Sequence, residues 1–213
     1  MNWLTRMLFN RTDLSSLNTG LRDALAHWHS LAQPELGKPH FETRYVVLNT
    51  ETSGFNADRD ALLNVAGIAI ESGVLVPASS YAAELMPDAA TTLMNLLTFC
   101  GRGPAVLFNA ALNRSMLERG LEKHLGVALD LPTIDLYWLL PALFPEHNNR
   151  PVKLSYWVDL FGVETFKRQH ALGDAFAIAQ LMLIAKSRAI QKGLASAQNL
   201  IDLEQTHRQW VRP

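Results

Sequence analysis

Between residues 14 and 31, large apolar side chains recur at steps of three and four: Leu14, Leu17, Leu21, Leu25, Trp28 and Leu31. That spacing places them on one face of a helix. Gln33, Pro34, Gly37 and Pro39 interrupt the pattern and read as a linker. Residues 1–40 are therefore expected to form a helical appendage with its linker, and 41–213 the main domain. From Arg44 the period changes. Tyr45, Val46, Val47 and Leu48 form a short unbroken apolar run, the mark of a strand buried on both faces. Extended segments over 62–70 and 74–85 follow, with Glu71, Ser72 and Gly73 as the turn between them. Pro87 and Asp88 open a helix that carries Leu93, Leu96, Leu97 and Phe99 and ends at Gly101. A strand over 105–108, a helix over 112–125 and a short strand over 133–135 come next. Helices then cover 136–143, 154–161, 172–190 and 199–211.

Three strands in succession, followed by strands alternating with helices, predict an α/β fold: a mixed five-stranded sheet flanked by helices, with an extra N-terminal helical segment. The stripe from Leu14 to Leu31 is expected to be buried, either on the main domain or in a homodimer. At 213 residues, 48% of them hydrophobic and 18% charged, the chain has the makings of a soluble protein with one sizeable core. No stretch approaches the roughly 18 consecutive apolar residues that a membrane span requires. Residues 1–9 lack a continuous apolar core and a small-residue cleavage site, so no signal peptide is expected. Cys100 stands alone, which rules out an internal disulfide framework and suggests a reducing cytoplasm. The net charge of −1 argues against a protein that grips duplexes by phosphate neutralisation; Arg114, Lys167 and Arg168 are only a thin basic excess.

Three short segments carry the candidate chemistry. Val46-Val47-Leu48-Asn49-Thr50-Glu51-Thr52-Ser53-Gly54 ends the first buried strand. Leu107-Phe108-Asn109-Ala110-Ala111-Leu112-Asn113 leads from the fourth strand into a helix. Arg168-Gln169-His170-Ala171-Leu172-Gly173-Asp174-Ala175 opens the long late helix. In this order the segments resemble the three motifs of the DEDD-type 3'-5' exonucleases, the relatives of polymerase proofreading epsilon subunits. The resemblance runs from about residue 44 to 189 and implies a ribonuclease-H-like fold. It also implies a site in which four carboxylates hold two divalent ions, Mg2+ or Mn2+, around the scissile phosphate. A histidine there takes a proton from the attacking water. Mapped on this chain, the ligand positions are Asn49, Glu51, Asn113 and Asp174, the general-base position is Gln169, and substrate contacts fall at Thr52 and Asn109.

The chain departs from that pattern at three of the five positions. Asn49 stands where the acid bridging both ions belongs, Asn113 where the second-motif acid belongs, and Gln169 where the histidine belongs; Glu51 and Asp174 remain. An amide offers a neutral carbonyl and two donors where a carboxylate offers charge and acceptors only. His170, one residue from the base position, points to another side of the segment and is a poor substitute. Family members also carry a longer insert, with a His-x-Ile segment, after the third strand; here Leu85 reaches Asp88 almost directly. Asp58, Asp60 and Asp159 read as solvated charges, and the histidines show no metal-ligand spacing with one another.

Two functions are consistent with this pattern. The first is a non-catalytic exonuclease-fold protein that binds Mg2+ or Mn2+ weakly or not at all, holds single-stranded nucleic acid weakly, and works through a protein partner. The alternative is a slow 3'-5' exonuclease with a single-metal site on Glu51 and Asp174.

Overall fold

The computed structural model describes residues 17–56, 59–165 and 170–211. Leu14, Asp58, Lys167, Arg168 and Gln169 lie outside the described residues. The strands are β1 (Tyr45–Thr52), β2 (Leu62–Glu71), β3 (Val74–Glu84), β4 (Ala105–Leu107) and β5 (Thr133–Asp135). The described helices are α1 (Thr19–Ser30), α2 (Ala89–Cys100), α3 (Ala110–Leu125), α4 (Leu136–Leu143), α5 (Leu154–Leu160), α6 (Ala171–Gln191) and α7 (Ala197–Val211).

The strands form one sheet in the order β3-β2-β1-β4-β5. The first three make an antiparallel meander, and β4 and β5 add in parallel beyond β1. This is the ribonuclease-H-like mixed sheet that the sequence implies. Ser72 and Gly73, with φ of 49° and 80°, make the two-residue turn between β2 and β3. Positive φ at both central positions matches the right-handed twist of the strands they join. β3 is an edge strand, blunted by Pro77 and by an irregularity in its register opposite Ile68 and Ile70.

The apolar run in β1 is buried on both sides because the sheet separates two cores. Tyr45 and Val47 face one side, with Ile68, Val106 and Ile134 under α4, α5, α6 and α7. Val46 and Leu48 face the other, with Val65, Ala105 and Leu107 under α1, α2 and α3. A period of two along a strand yields this division without any break in hydrophobicity.

The described part of the N-terminal stripe packs within the chain. Leu17, Leu25 and Trp28 are buried in the same core as Leu93, Met94 and Leu97 of α2. Trp28 Nε1 donates to Gly101 O at 2.8 Å, and the Arg102 guanidinium lies 4.3 Å from the Trp28 ring centroid. Beyond α1 the chain runs beside the start of α7: Gln198 N donates to Leu36 O and His40 N to Ala195 O, each at 3.0 Å.

At the opposite edge, α7 docks on β5 through a buried acid. Asp135 N donates to Glu204 Oε2 at 3.1 Å. The Asp135 carboxylate accepts from Ala110 N at 2.9 Å and from Tyr137 N at 3.0 Å, tying together the first turns of α3 and α4. Burial raises the Glu204 carboxyl to about 7, and the neighbouring Asp135 charge adds to the rise; the Asp135 N–H and Arg208 oppose it. Burial also raises Asp135, against its three backbone hydrogen bonds. Among the described residues, no helix is long and apolar enough to cross a membrane.

Two measurements follow from this packing. Trp28→Ala removes a fully buried ring and its hydrogen bond, and should lower unfolding free energy by about 3–5 kcal/mol in a urea titration; a loss below about 1 kcal/mol would show that α1 is not part of the core. Glu204 titrates at about 7 in the folded chain and near 4.5 when unfolded. A raised acid contributes stability that is complete below the unfolded value and is lost as pH rises through the folded one. Wild-type Tm should therefore fall as pH rises from about 5 to about 8, and Glu204→Gln, which keeps an acceptor but cannot ionise, should flatten that fall. An identical pH profile for the two proteins would contradict the assignment.

Candidate functional site

β1 and β4 pair only at Val46 with Ala105 and Val47 with Val106. β4 then ends at Leu107 while β1 continues to Thr52. From β1 the sheet continues to β2 on one side and to β4 on the other, so the carboxyl ends of β1 and β4 open a crevice at the point where strand order reverses. Open α/β sheets place ligand sites there. The first turn of α3 contacts Thr50 of β1, and the first turn of α6 contacts Asn49 and Glu51 of the same strand.

Asn113, in the first turn of α3, bridges the parted strands. Its Oδ1 accepts from Thr50 N at 3.2 Å and from Thr50 Oγ1 at 2.6 Å, while its Nδ2 donates to Phe108 O at 2.9 Å. The side chain is 9% exposed. Its orientation is fixed by its partners, since a backbone N–H can only donate and a carbonyl can only accept. Asn109, at the turn between β4 and α3, holds a left-handed conformation (φ 58°, ψ 61°) that asparagine tolerates better than most residues. Its side chain is exposed and caps nothing on α3.

The other two residues of β1 reach α6. Asn49 Nδ2 donates to Ala171 O at 3.2 Å, and Glu51 Oε1 accepts from Ala171 N at 2.7 Å. The peptide groups of the first helical residue are thus bracketed by side chains two positions apart on one strand, which point to the same face. Glu51 Oε2 also accepts from Asn64 Nδ2, its direct cross-strand neighbour on β2. A carboxylate at a helix N-terminus is favoured by the unpaired N–H groups and the helix dipole. Asp174 lies half-buried in the same first turn of α6. His170 is the N-cap residue of α6; its side chain is exposed and makes no capping bond. Thr52 donates its hydroxyl proton to Gly54 O at 2.5 Å.

Hard divalent cations require several oxygen lone pairs, preferably anionic. Here the amide nitrogens of Asn49 and Asn113 face carbonyl oxygens, and Asn113 Oδ1 already accepts twice. Both oxygens of Glu51 are hydrogen-bonded. Among the described residues, no group of three or more His, Cys, Asp or Glu side chains is placed to hold a metal ion. The residues present do not fit the two-ion centre that the sequence resemblance implies. Nor is Arg114 available for phosphate: it is bound to Glu118, Thr133 Oγ1 and Leu129 O.

Asn49 and Glu51 meet the first turn of α6, the turn that carries Asp174, while Asn113 meets Thr50 of the same strand. Thr50 and Asn64 were not foreseen, although Asn64 is a polar residue in the otherwise apolar run of β2 from Leu62 to Ile70, a pattern that points to a specific hydrogen-bond partner.

No protein-family model matches the chain. It is 26% identical over 175 residues to the PolC-type DNA polymerase III of Bacillus subtilis (strain 168), covering 72% of this chain and 12% of that protein. It is 24% identical over 163 residues to the PolC-type DNA polymerase III of Clostridium perfringens (strain 13 / Type A), covering 67% of this chain and 11% of that protein. The chain thus spans only about an eighth of the length of these curated relatives. Among solved structures, exonuclease X in complex with 5' overhanging duplex DNA superposes with a TM-score of 0.56 at 15% identity, covering 75% of this chain and 99% of that one. E. coli exonuclease I in complex with a dT13 oligonucleotide superposes with a TM-score of 0.51 at 13% identity, covering 70% of this chain and 42% of that one. The chain is thus similar in sequence to part of the PolC-type DNA polymerase III and shares its fold with exonucleases X and I.

Proposed function

We propose that this protein is a non-hydrolytic member of the exonuclease fold, which holds the end of a single-stranded nucleic acid weakly in the crevice and acts through contact with another protein. The observation that carries this reading is the hydrogen bonding of the two amides. Asn49 and Asn113 stand at the positions of two ligand acids, and each turns its nitrogen toward a backbone carbonyl. Two-ion phosphoryl hydrolysis needs charge at those positions to hold the metals that generate the nucleophile and stabilise the leaving oxygen. Glu51 and Asp174 together supply half of that charge. A glutamine at the base position cannot take up a proton at neutral pH.

Nucleic-acid binding is supported by the fold, since exonuclease I holds a dT13 strand. The near-neutral balance of charge makes the binding weak and limits its salt dependence. The exposed amide of Asn109, held at the mouth of the crevice by its left-handed backbone, is a suitable hydrogen-bonding group for such a strand.

The test is release of nucleotides from a 3'-labelled single strand in Mg2+ or Mn2+. Wild-type protein should release no more than Asp174→Ala, which controls for contaminating nuclease. Asn49→Asp, Asn113→Asp and Gln169→His should each remain inactive alone, because acids and base of such a site act as a unit. Wild-type activity that Asp174→Ala abolishes would overturn this reading and establish the single-metal exonuclease. The same strand should bind in EDTA by fluorescence anisotropy; no binding at protein concentrations up to about 1 mM, the top of the roughly 1 μM–1 mM range of ordinary substrate sites, would remove the nucleic-acid part of the proposal.

A further inference from the structure

We infer that Asn49, Asn113 and Glu51 form a metal-independent joint, in which Asn49 and Glu51 fasten the first turn of α6 to β1 and Asn113 spans the ends of β1 and β4, so that neutral amides do the structural work a carboxylate cluster would need a cation to do. This inference concerns what holds the crevice together. It deepens the non-catalytic reading, but its test does not read activity.

Consider aspartate in place of each amide. At position 49 a carboxylate oxygen would stand about where Nδ2 now meets Ala171 O at 3.2 Å. Two acceptors would face each other with no proton between them. Glu51 is on the same face of β1, and Asp174 is in the same helical turn, so the new charge would join two others of its own sign. At position 113 the loss is of the same kind. The bonds to Thr50 N–H and Oγ1 would survive, but a second oxygen would face Phe108 O, which now accepts at 2.9 Å. The site is 9% exposed, so water cannot readily relieve the conflict. Such a cluster of acids is held together by bound cations. Replacing two of them by amides removes the repulsion and supplies the missing donors, and the crevice then closes without a metal.

Glu51 fits the same account. Its carboxylate is paired with the N–H of Ala171 and the amide of Asn64. It is in contact with an otherwise unpaired helix N–H, where charge is stabilising. Asn49 then takes the carbonyl of the same residue. One strand thereby grips both polar groups of a single residue across 120 positions of sequence.

The test is thermal unfolding of the whole chain with EDTA and with millimolar Mn2+, at about pH 5 and about pH 8. Wild-type Tm should be the same with EDTA and with Mn2+. Asn49→Asp and Asn113→Asp should each lower Tm in EDTA by roughly 3–8 °C at the higher pH. The loss should shrink at the lower pH. An aspartate facing carbonyls and other acids has its folded pKa raised, so its stability contribution is intact in acid and lost as pH rises. Asn49→Ala, which deletes the bond without adding charge, should show a smaller loss that does not change with pH. If Asn113→Asp fails to fold, the half-buried Asn49 pair of variants decides the question. Wild-type Tm that rises with Mn2+ would overturn the inference, as would an Asn49→Asp protein with wild-type Tm at both pH values. Neither outcome depends on nuclease activity, so the two proposals fail separately.

Discussion

Where β1 outruns β4, the backbone N–H of Thr50 has no strand to pair with, and the side chain of Asn113 supplies its acceptor. Much of the crevice depends on how that bond is made. A buried donor left unpaired costs about 1–3 kcal/mol, and the same asparagine satisfies Phe108 O on the far side of the gap. Strand parting of this kind creates a ligand site in open α/β sheets, but it also exposes the backbone groups that pairing would have hidden. Here an amide, able to donate and accept at once, spans the opening. A carboxylate could fill only the accepting half of the role.

The same complementarity extends to α6. The helix begins at the crevice because Glu51 and Asn49 of β1 meet the N–H and carbonyl of Ala171. The sheet order places that contact, and the two cores on either side of the sheet hold it in position: α6 packs with Tyr45 and Val47 on one face, while α3 packs with Val46 and Leu48 on the other. The polar joint therefore sits on a rigid frame, with two of its anchors two residues apart on the central strand. Together with Asp174 in the same turn of α6 its net charge is half that of four carboxylates, and the polar atoms of its amides are largely engaged with backbone.

Much of this was legible in the sequence because the signals were periodic or clustered. The unbroken run from Tyr45 to Leu48 gave a strand buried on both faces, and Glu71-Ser72-Gly73 gave the turn of the meander. The motifs lie where β1 meets α3 and α6, with Asn49 and Glu51 on the turn that carries Asp174 and Asn113 on Thr50. The directions of the amides were not legible. Whether Asn49 presents oxygen or nitrogen depends on a carbonyl 122 positions away, which no local pattern encodes. Asn64 was missed for a similar reason: it faces Glu51 only because β1 and β2 pair in a particular register. The capping of β5 by Glu204 likewise depends on how α7 lies across the edge of the sheet.

The central claim is that the crevice is held by hydrogen-bonded amides and no longer serves as a metal centre. Crystals of the wild-type chain soaked in Mn2+ test it most directly, through anomalous difference density beside Glu51 and Asp174. The account predicts no peak there, with Asn49 and Asn113 still bonded to Ala171 and Phe108. A manganese peak coordinated by Glu51 and Asp174, with either amide turned to present its oxygen, would contradict it.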